Sequence, residues 1–347
     1  MNKNIKRRLT WFAIALILQQ SIFLYVDKVY LGSDISIQAE KIDEEEDIAD
    51  KKTEIDIKSN ISEIKVSSDG RFVSYIDGNK LKILDSNDNK ETECELDSGA
   101  QVSFYKWLNN EDNMIVIQKI KDKGIYYFEP ISFDAKKGEV RDLADFDLNK
   151  MRIRLNSSKE EISNVVFSTL THSLYIKVKK GDGKYDLYYA NVMNQLKKVK
   201  SDKVLGSVVV PTTSTNAVME EGASITVLNA KAPLSIPNVK SSKILGADVN
   251  DNVYFGEIEN NKVNKIFYAV LSDANKKWNS LNLKEPVDKT DIVIDYSGKV
   301  YINNKSENSV LELISNKSIK YKGNFVQSYS KGIISRVDNK LIKNKLE

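Results

Sequence analysis

The chain has 347 residues, enough for one large domain or two ordinary ones. Hydrophobic residues make up 41%, which supplies a packed core and excludes intrinsic disorder for the bulk of the chain. The 52 basic side chains are balanced by 49 acidic ones, and a net charge of +3 gives no electrostatic case for nucleic acid as a partner.

Residues 9–26, LTWFAIALILQQSIFLYV, form an apolar run behind a basic flank of Lys3, Lys6, Arg7 and Arg8. At about 1.5 Å of rise per residue, a helix of that length just crosses a hydrocarbon core. The run predicts a transmembrane signal anchor whose apolar surface comes from Leu9, Trp11, Phe12, Ile14, Leu16, Leu18, Phe23 and Val26. The basic flank predicts a cytoplasmic tail over residues 1–8, a single-pass cell-membrane protein and an extracellular C-terminal domain. A cleaved signal peptide is the competing reading. It needs small residues at the cleavage site, whereas the run ends in Phe23, Leu24, Tyr25 and Val26.

Residues 27–52 read as a linker, made acidic by Glu40, Asp43, Glu44, Glu45, Glu46, Asp47 and Asp50. A block of like charge cannot collapse, so it acts as a spacer.

From Thr53 the pattern changes to period two. ISEIKVS (61–67), RFVSYI (71–76), KLKILD (80–85) and ETECEL (91–96) alternate apolar and polar residues, with Asp69-Gly70 and Asp77-Gly78 between them. Asp-Gly is a hairpin dipeptide, and four short strands on tight connections make an antiparallel meander. The meander recurs. Its first strand returns as VSFYKWL, ISNVVFS, LGSVVVP, ILGADVN, TDIVIDY and NFVQSYS, which gives seven copies with the first. In the fourth copy the strands are LGSVVVP, AVMEE, SITVLN and APLSIP, and this copy is the least regular. Residues 147–160 read as an insertion on one face. The basic residues alternate with apolar ones, as on the wet face of strands.

The seventh copy lacks a fourth strand before Glu347, while Thr53–Lys58 alternates and belongs to no meander. A strand from one end that completes the sheet built by the other closes a ring and leaves only short edges. The expected fold over residues 53–347 is therefore an all-β, seven-bladed β-propeller, with six or eight blades as alternatives.

Residues 66–85, VSSDGRFVSYIDGNKLKILD, resemble the WD40-like repeat of TolB-type β-propellers through Ser67, Asp69, Gly70, Arg71 and Tyr75, with Ser68 where that family usually has Pro. DVNDNVYF from Asp248 and DYSGKVYI from Asp295 are decayed versions. The resemblance implies a docking surface or an accessory domain, and no activity. The Lys-, Asn- and Ile-rich composition resembles that of bacterial proteins from AT-rich Gram-positive genomes.

Side chains for chemistry are few. Cys94 is the one cysteine, so no internal disulfide can form, and it reads as a small apolar strand residue. His172 is the one histidine and sits at a turn, with no G-x-S-x-G elbow to complete a triad. Asp145, Asp147, Glu160, Glu161, Glu220 and Glu221 lie in loops or at strand ends, and nothing selects a catalytic pair from them. Asp85-x-Asn87-x-Asn89 and Asp248-x-Asn250-x-Asn252 are half a calcium loop without its glycine, and turn-capping explains them better. Among the aromatics, Trp278, Tyr126 and Tyr188 are expected as interaction residues. The sequence thus points to a non-catalytic, membrane-anchored protein-interaction platform in the cell envelope. It would need no cofactor or metal and would partner another envelope protein. A cell-wall glycan-binding protein or a carboxylate-dependent glycan-active enzyme is the alternative.

Overall fold

The computed structural model describes residues 53–346 apart from 110, 146, 192, 193 and 273–275, together with residues 7, 11, 12, 16, 18–20 and 23. Those N-terminal positions are helical, and Trp11, Phe12, Leu16, Leu18 and Phe23 are exposed. Among the described residues no helix is long and apolar enough to cross a membrane. Most of the expected anchor, Leu9, Ile14 and Val26 included, lies outside the described residues, as do Lys3, Lys6, Arg8 and the acidic linker.

Strands from Glu54 to Lys345 form seven antiparallel sheets, each one blade. Blade 1 is Ile61–Val66, Phe72–Asp77, Lys80–Asp85 and Glu91–Glu93. Its hairpins turn where glycine supplies a positive φ, at Gly70 (78°) and Gly78 (63°). The first strands of blades 2 to 7 are Gln101–Trp107, Glu161–Phe167, Leu205–Val209, Ser242–Ala247, Ile292–Ile294 and Asn324–Tyr329.

The ring closes as the sequence predicts. Glu54–Asp56 pairs antiparallel with Lys340–Lys345, in the register Glu54 to Ile342, Ile55 to Leu341 and Asp56 to Lys340. The N-terminal strand is thereby the fourth strand of blade 7.

The core consists of seven apolar clusters, one at each junction between neighbouring blades. Period-two alternation builds them. Met114 and Val116 of blade 2 pack toward blade 1, while Ile115 and Ile117 pack toward blade 3. Because both faces of such a strand are buried, it reads as a continuous apolar run. Cys94 is buried in the first of these clusters, and burial pushes its thiol up to about 12.

Two details of the expected meander need correction. Residues 232–237, APLSIP, form no strand, so blade 4 has three. Pro233 and Pro237 have no N–H to give to a ladder, and Leu234 alone donates to the Ile225 carbonyl, at 2.8 Å. The insertion is also more than a loop. Ile153–Arg154 pairs with Phe128 and Tyr127 of the ten-residue strand Ile125–Asp134, and Glu139–Asp142 pairs with the other half of that strand. Met151, Ile153 and Leu155 are buried, which draws the insertion in as a fifth strand of blade 2.

Candidate functional site

The first strands of neighbouring blades lie against one another and surround the propeller axis. A first strand is a sheet edge, so one row of its backbone groups has no partner within its own blade. Side chains reach across the junctions to meet such groups. Gln327 of blade 7 clasps Val66 of blade 1: its Oε1 accepts the Val66 N–H at 3.0 Å and its Nε2 donates to the Val66 carbonyl at 2.8 Å. Lys65 donates to the Tyr105 carbonyl of blade 2 at 2.5 Å, and Lys106 to the Val165 carbonyl of blade 3 at 3.0 Å. Lys177 continues to the Gly206 carbonyl of blade 4 at 2.6 Å.

Two cavities lie along this inner ring. One of 530 Å³ includes Lys65, Lys106, Asn109, Asn164, Tyr296 and Gln327 in its wall. The other, of 320 Å³, shares Lys106, Asn109, Asn164 and Tyr296 and extends toward blades 4 and 5. Tyr296 marks the division. From the turn of blade 6 its hydroxyl meets Thr169 of blade 3 at 3.1 Å and Thr212 of blade 4 at 3.0 Å.

Lys65 and Lys106 hold equivalent positions in their first strands, and both ammonium groups are withdrawn from bulk water. Lys106 is half-buried as a side chain, but its ammonium sits in the channel wall. Desolvation, helped by the Lys65 charge, pulls its pKa down to about 8. Desolvation also lowers the Lys65 pKa, partly offset by Glu63, and its ammonium lies over the Tyr105 ring at 4.1 Å. Among the described residues neither ammonium has a carboxylate within ion-pair distance, and each donates a hydrogen bond to a backbone carbonyl.

An apolar groove of 370 Å³ opens between blades 2 and 3 on the same face, where the first-to-second-strand turns emerge. Leu108, Ile115, Leu143, Met151, Phe167 and Leu174 line it, and His172 stands at its end. Leu108 also borders the larger channel cavity and Phe167 the smaller, so the groove and the channel are neighbours that share these two side chains as walls. His172 is an exposed turn residue with φ 51°, its ring 6.0 Å from Phe167. Leu170, in the same turn, is 67% exposed.

The residues singled out from the sequence fall elsewhere. Trp278 is half-buried against Phe255, ring centres 5.8 Å apart, in the cluster between blades 4 and 5. Tyr126 and Tyr188 both pack on the cluster between blades 2 and 3, and none of the three lines the channel or the groove. The repeat motif does structural work. Ser67 Oγ accepts the Phe72 N–H at 2.9 Å and donates to Asp69, Asp69 accepts the Arg71 N–H at 2.9 Å, and Arg71 pairs with Asp85 at 2.7 Å.

Four of the six candidate carboxylates are engaged, while Asp147 and Glu161 are exposed surface residues. Burial would raise the Glu220 pKa, but Lys289 at 2.9 Å, Lys243 at 3.4 Å and the Ile244 N–H hold it below the usual range. Glu221 pairs with Lys200 at 2.7 Å, Glu160 accepts from Asn156, and Asp145 caps its own turn through the Asp147 and Asn149 N–H groups. Asp248 accepts from Asn250 N–H, Asn252 N–H, the Asn252 side chain and Tyr254, as a capped turn does and a calcium loop does not. Sequence reasoning missed Lys65 and Lys106 by assigning basic residues to the wet face of strands. The signal was there: lysine recurs at the fifth position of ISEIKVS and VSFYKWL, inside strands whose other neighbours are apolar.

No protein-family model matches the sequence, and no curated protein matches it. Solved structures match the fold. The β-propeller domain of Cps50 (Swd1) from Myceliophteria thermophila aligns over 85% of this chain and 100% of its own, with TM-score 0.52 and 8% identity. A chain of the mitotic checkpoint complex aligns over 84% of this chain and 93% of its own, with TM-score 0.51 and 10% identity. The WD40 domain of Neurospora crassa Pan2 aligns over 83% of this chain and 90% of its own, with TM-score 0.45 and 10% identity. At such identities the likeness to the first two, with TM-scores above 0.5, shows the propeller fold alone.

Proposed function

We propose that this chain is a membrane-tethered, extracytoplasmic propeller of the TolB-like kind that serves as a non-catalytic docking platform for another protein of the cell envelope. The observation that carries the reading is the adjacency of an apolar interblade groove and a polar, cation-bearing channel on one face, with Leu108 as their common wall. A groove with apolar side-chain sites beside hydrogen-bond donors that line a cavity accommodates an extended peptide segment. The basic flank and apolar run at the N-terminus support the tether, and the acidic spacer gives the domain reach from the membrane. The engaged carboxylates and the inert Cys94 support the absence of catalysis.

The test uses the full chain with an unbiased displayed-peptide library and a panel of cell-wall glycans. The reading expects saturable peptide binding without turnover, lost when Leu170 becomes Asp. Turnover of a glycan or peptide, abolished by changing carboxylates of the face to amides, would replace it with the enzyme reading.

A further inference from the structure

We propose that the channel mouth formed by blades 1, 2 and 7 receives an acidic side chain, Asp or Glu, carried by an extended peptide of the docked partner and gripped by Lys65 and Lys106. This inference rests on the platform reading and names the chemistry of its site.

Lys65 and Lys106 place two withdrawn ammonium groups without a counter-carboxylate at one cavity, and among the described residues Lys177 is a third inner lysine held by a carbonyl alone, whereas other lysines of the fold are paired. Lys198 meets Asp186 at 2.6 Å, Lys289 meets Glu220 at 2.9 Å and Lys200 meets Glu221 at 2.7 Å. Buried charge is retained at a cost unless something neutralises it. Lys65 and Lys106 each spend one of three N–H donors on a carbonyl, which leaves donors for a ligand in the 530 Å³ cavity.

The charge balance selects the ligand. Among the described residues lining this cavity the charged ones are Lys65, Lys106 and Asp295, a surplus of one positive charge. One carboxylate neutralises it, whereas a phosphate dianion would overshoot. Among the described residues of the cavity wall there is also no arginine, the side chain whose planar fork matches phosphate in a bidentate grip. Adjacency points to the carrier. Leu108 is the common wall of groove and channel, so a peptide that seats apolar side chains in the groove and crosses Leu108 brings its next side chain to the lysines.

The test is competitive acetylation of the full chain, read by mass spectrometry at Lys65 and Lys106, with Lys123 of the opposite face as internal reference. The probes are a pool of hexapeptides with Leu flanking a central Glu, a matched pool with Gln, and inorganic phosphate. The Glu pool should slow acetylation of both lysines about tenfold more than the Gln pool, the scale of one charge-assisted contact. Binding of the Glu pool should fall to the Gln level in Lys65→Met and Lys106→Met, and should strengthen in Asp295→Asn, a variant that leaves both lysines in place. Equal protection by the two pools, stronger protection by phosphate, or weaker binding in Asp295→Asn would overturn the inference. Leu170-dependent binding of both pools without lysine protection would sink it while leaving the platform reading intact. Failure of both pools to bind would take both down.

Discussion

The Tyr296 hydroxyl lies 3.1 Å from Thr169 Oγ1, although 127 positions separate the two residues. Blade 6 is thereby tied to blade 3 from the opposite side of the ring, and the inner cavity is divided. The bond sits in a part-buried site and also engages Thr212. Tyr296→Phe should cost about 1 kcal/mol in denaturant unfolding, the usual worth of such a bond. An unchanged midpoint would show that the strap carries no load.

Closure of the ring is a second measurable claim. Ile55 is fully buried opposite Leu341 in the cluster shared by blades 7 and 1. Ile55→Ala should destabilise by about 2–5 kcal/mol, and deletion of residues 53–58 by more, because it also exposes a strand edge. Deletion of residues 33–50 should leave the melt unchanged. Equal stability of the two deletions would refute closure by this strand.

Gly70 tests the turn chemistry of the repeat motif. Its φ is 78°, and a Cβ there would lie 3.0 Å from the Tyr329 ring of blade 7. Gly70→Ala should cost about 1–3 kcal/mol from backbone strain and crowding together. A neutral effect in thermal unfolding would mean the turn can relax without penalty.

Much of the fold was legible because a propeller writes itself as a period. The turn at Asp69-Gly70, the alternation of ISEIKVS and the orphan strand around Ile55 all carry local signals. What failed was local chemistry overriding the pattern. Pro233 and Pro237 alternate like a strand and cannot donate like one, and the pairing of Ile153 with Phe128 is a long-range choice that no window reveals. The site was less legible still. Alternation says that Lys65 and Lys106 face away from their apolar neighbours. Only the ring of blades turns that direction toward a channel.

Lys106 yields a pH prediction. Its folded pKa, about 8, lies below the ordinary lysine value, so the folded state disfavours the proton. Between pH 8 and the unfolded lysine pKa the unfolded chain binds more protons, and stability rises with pH through that window. Lys106→Met should therefore raise stability at pH 7, by on the order of 1 kcal/mol after solvent screening, with the gain shrinking toward pH 10. Destabilisation that does not change between pH 7 and pH 10 would show that the ammonium is not strained by its burial.

At acid pH the sign reverses for Glu91. Burial would raise its pKa, but hydrogen bonds from Lys82, Tyr75 and Lys58 outweigh that and bring it to about 2. Its contribution is present above the ordinary glutamate pKa and is lost as pH falls through 2. Glu91→Gln should flatten the acid limb of the stability curve below pH 4.5. An unchanged limb would assign acid sensitivity to other carboxylates.

The docking face is tested most directly by a photo-crosslinking residue placed in turn at Leu170, exposed in the turn that carries His172, and at Lys123, in the turn on the opposite face. Each full-length variant is illuminated in its own cells. The account predicts a discrete adduct with an envelope protein at Leu170, diminished by Lys65→Met and Lys106→Met, and none at Lys123. An adduct confined to Lys123, or none at either position, would contradict it.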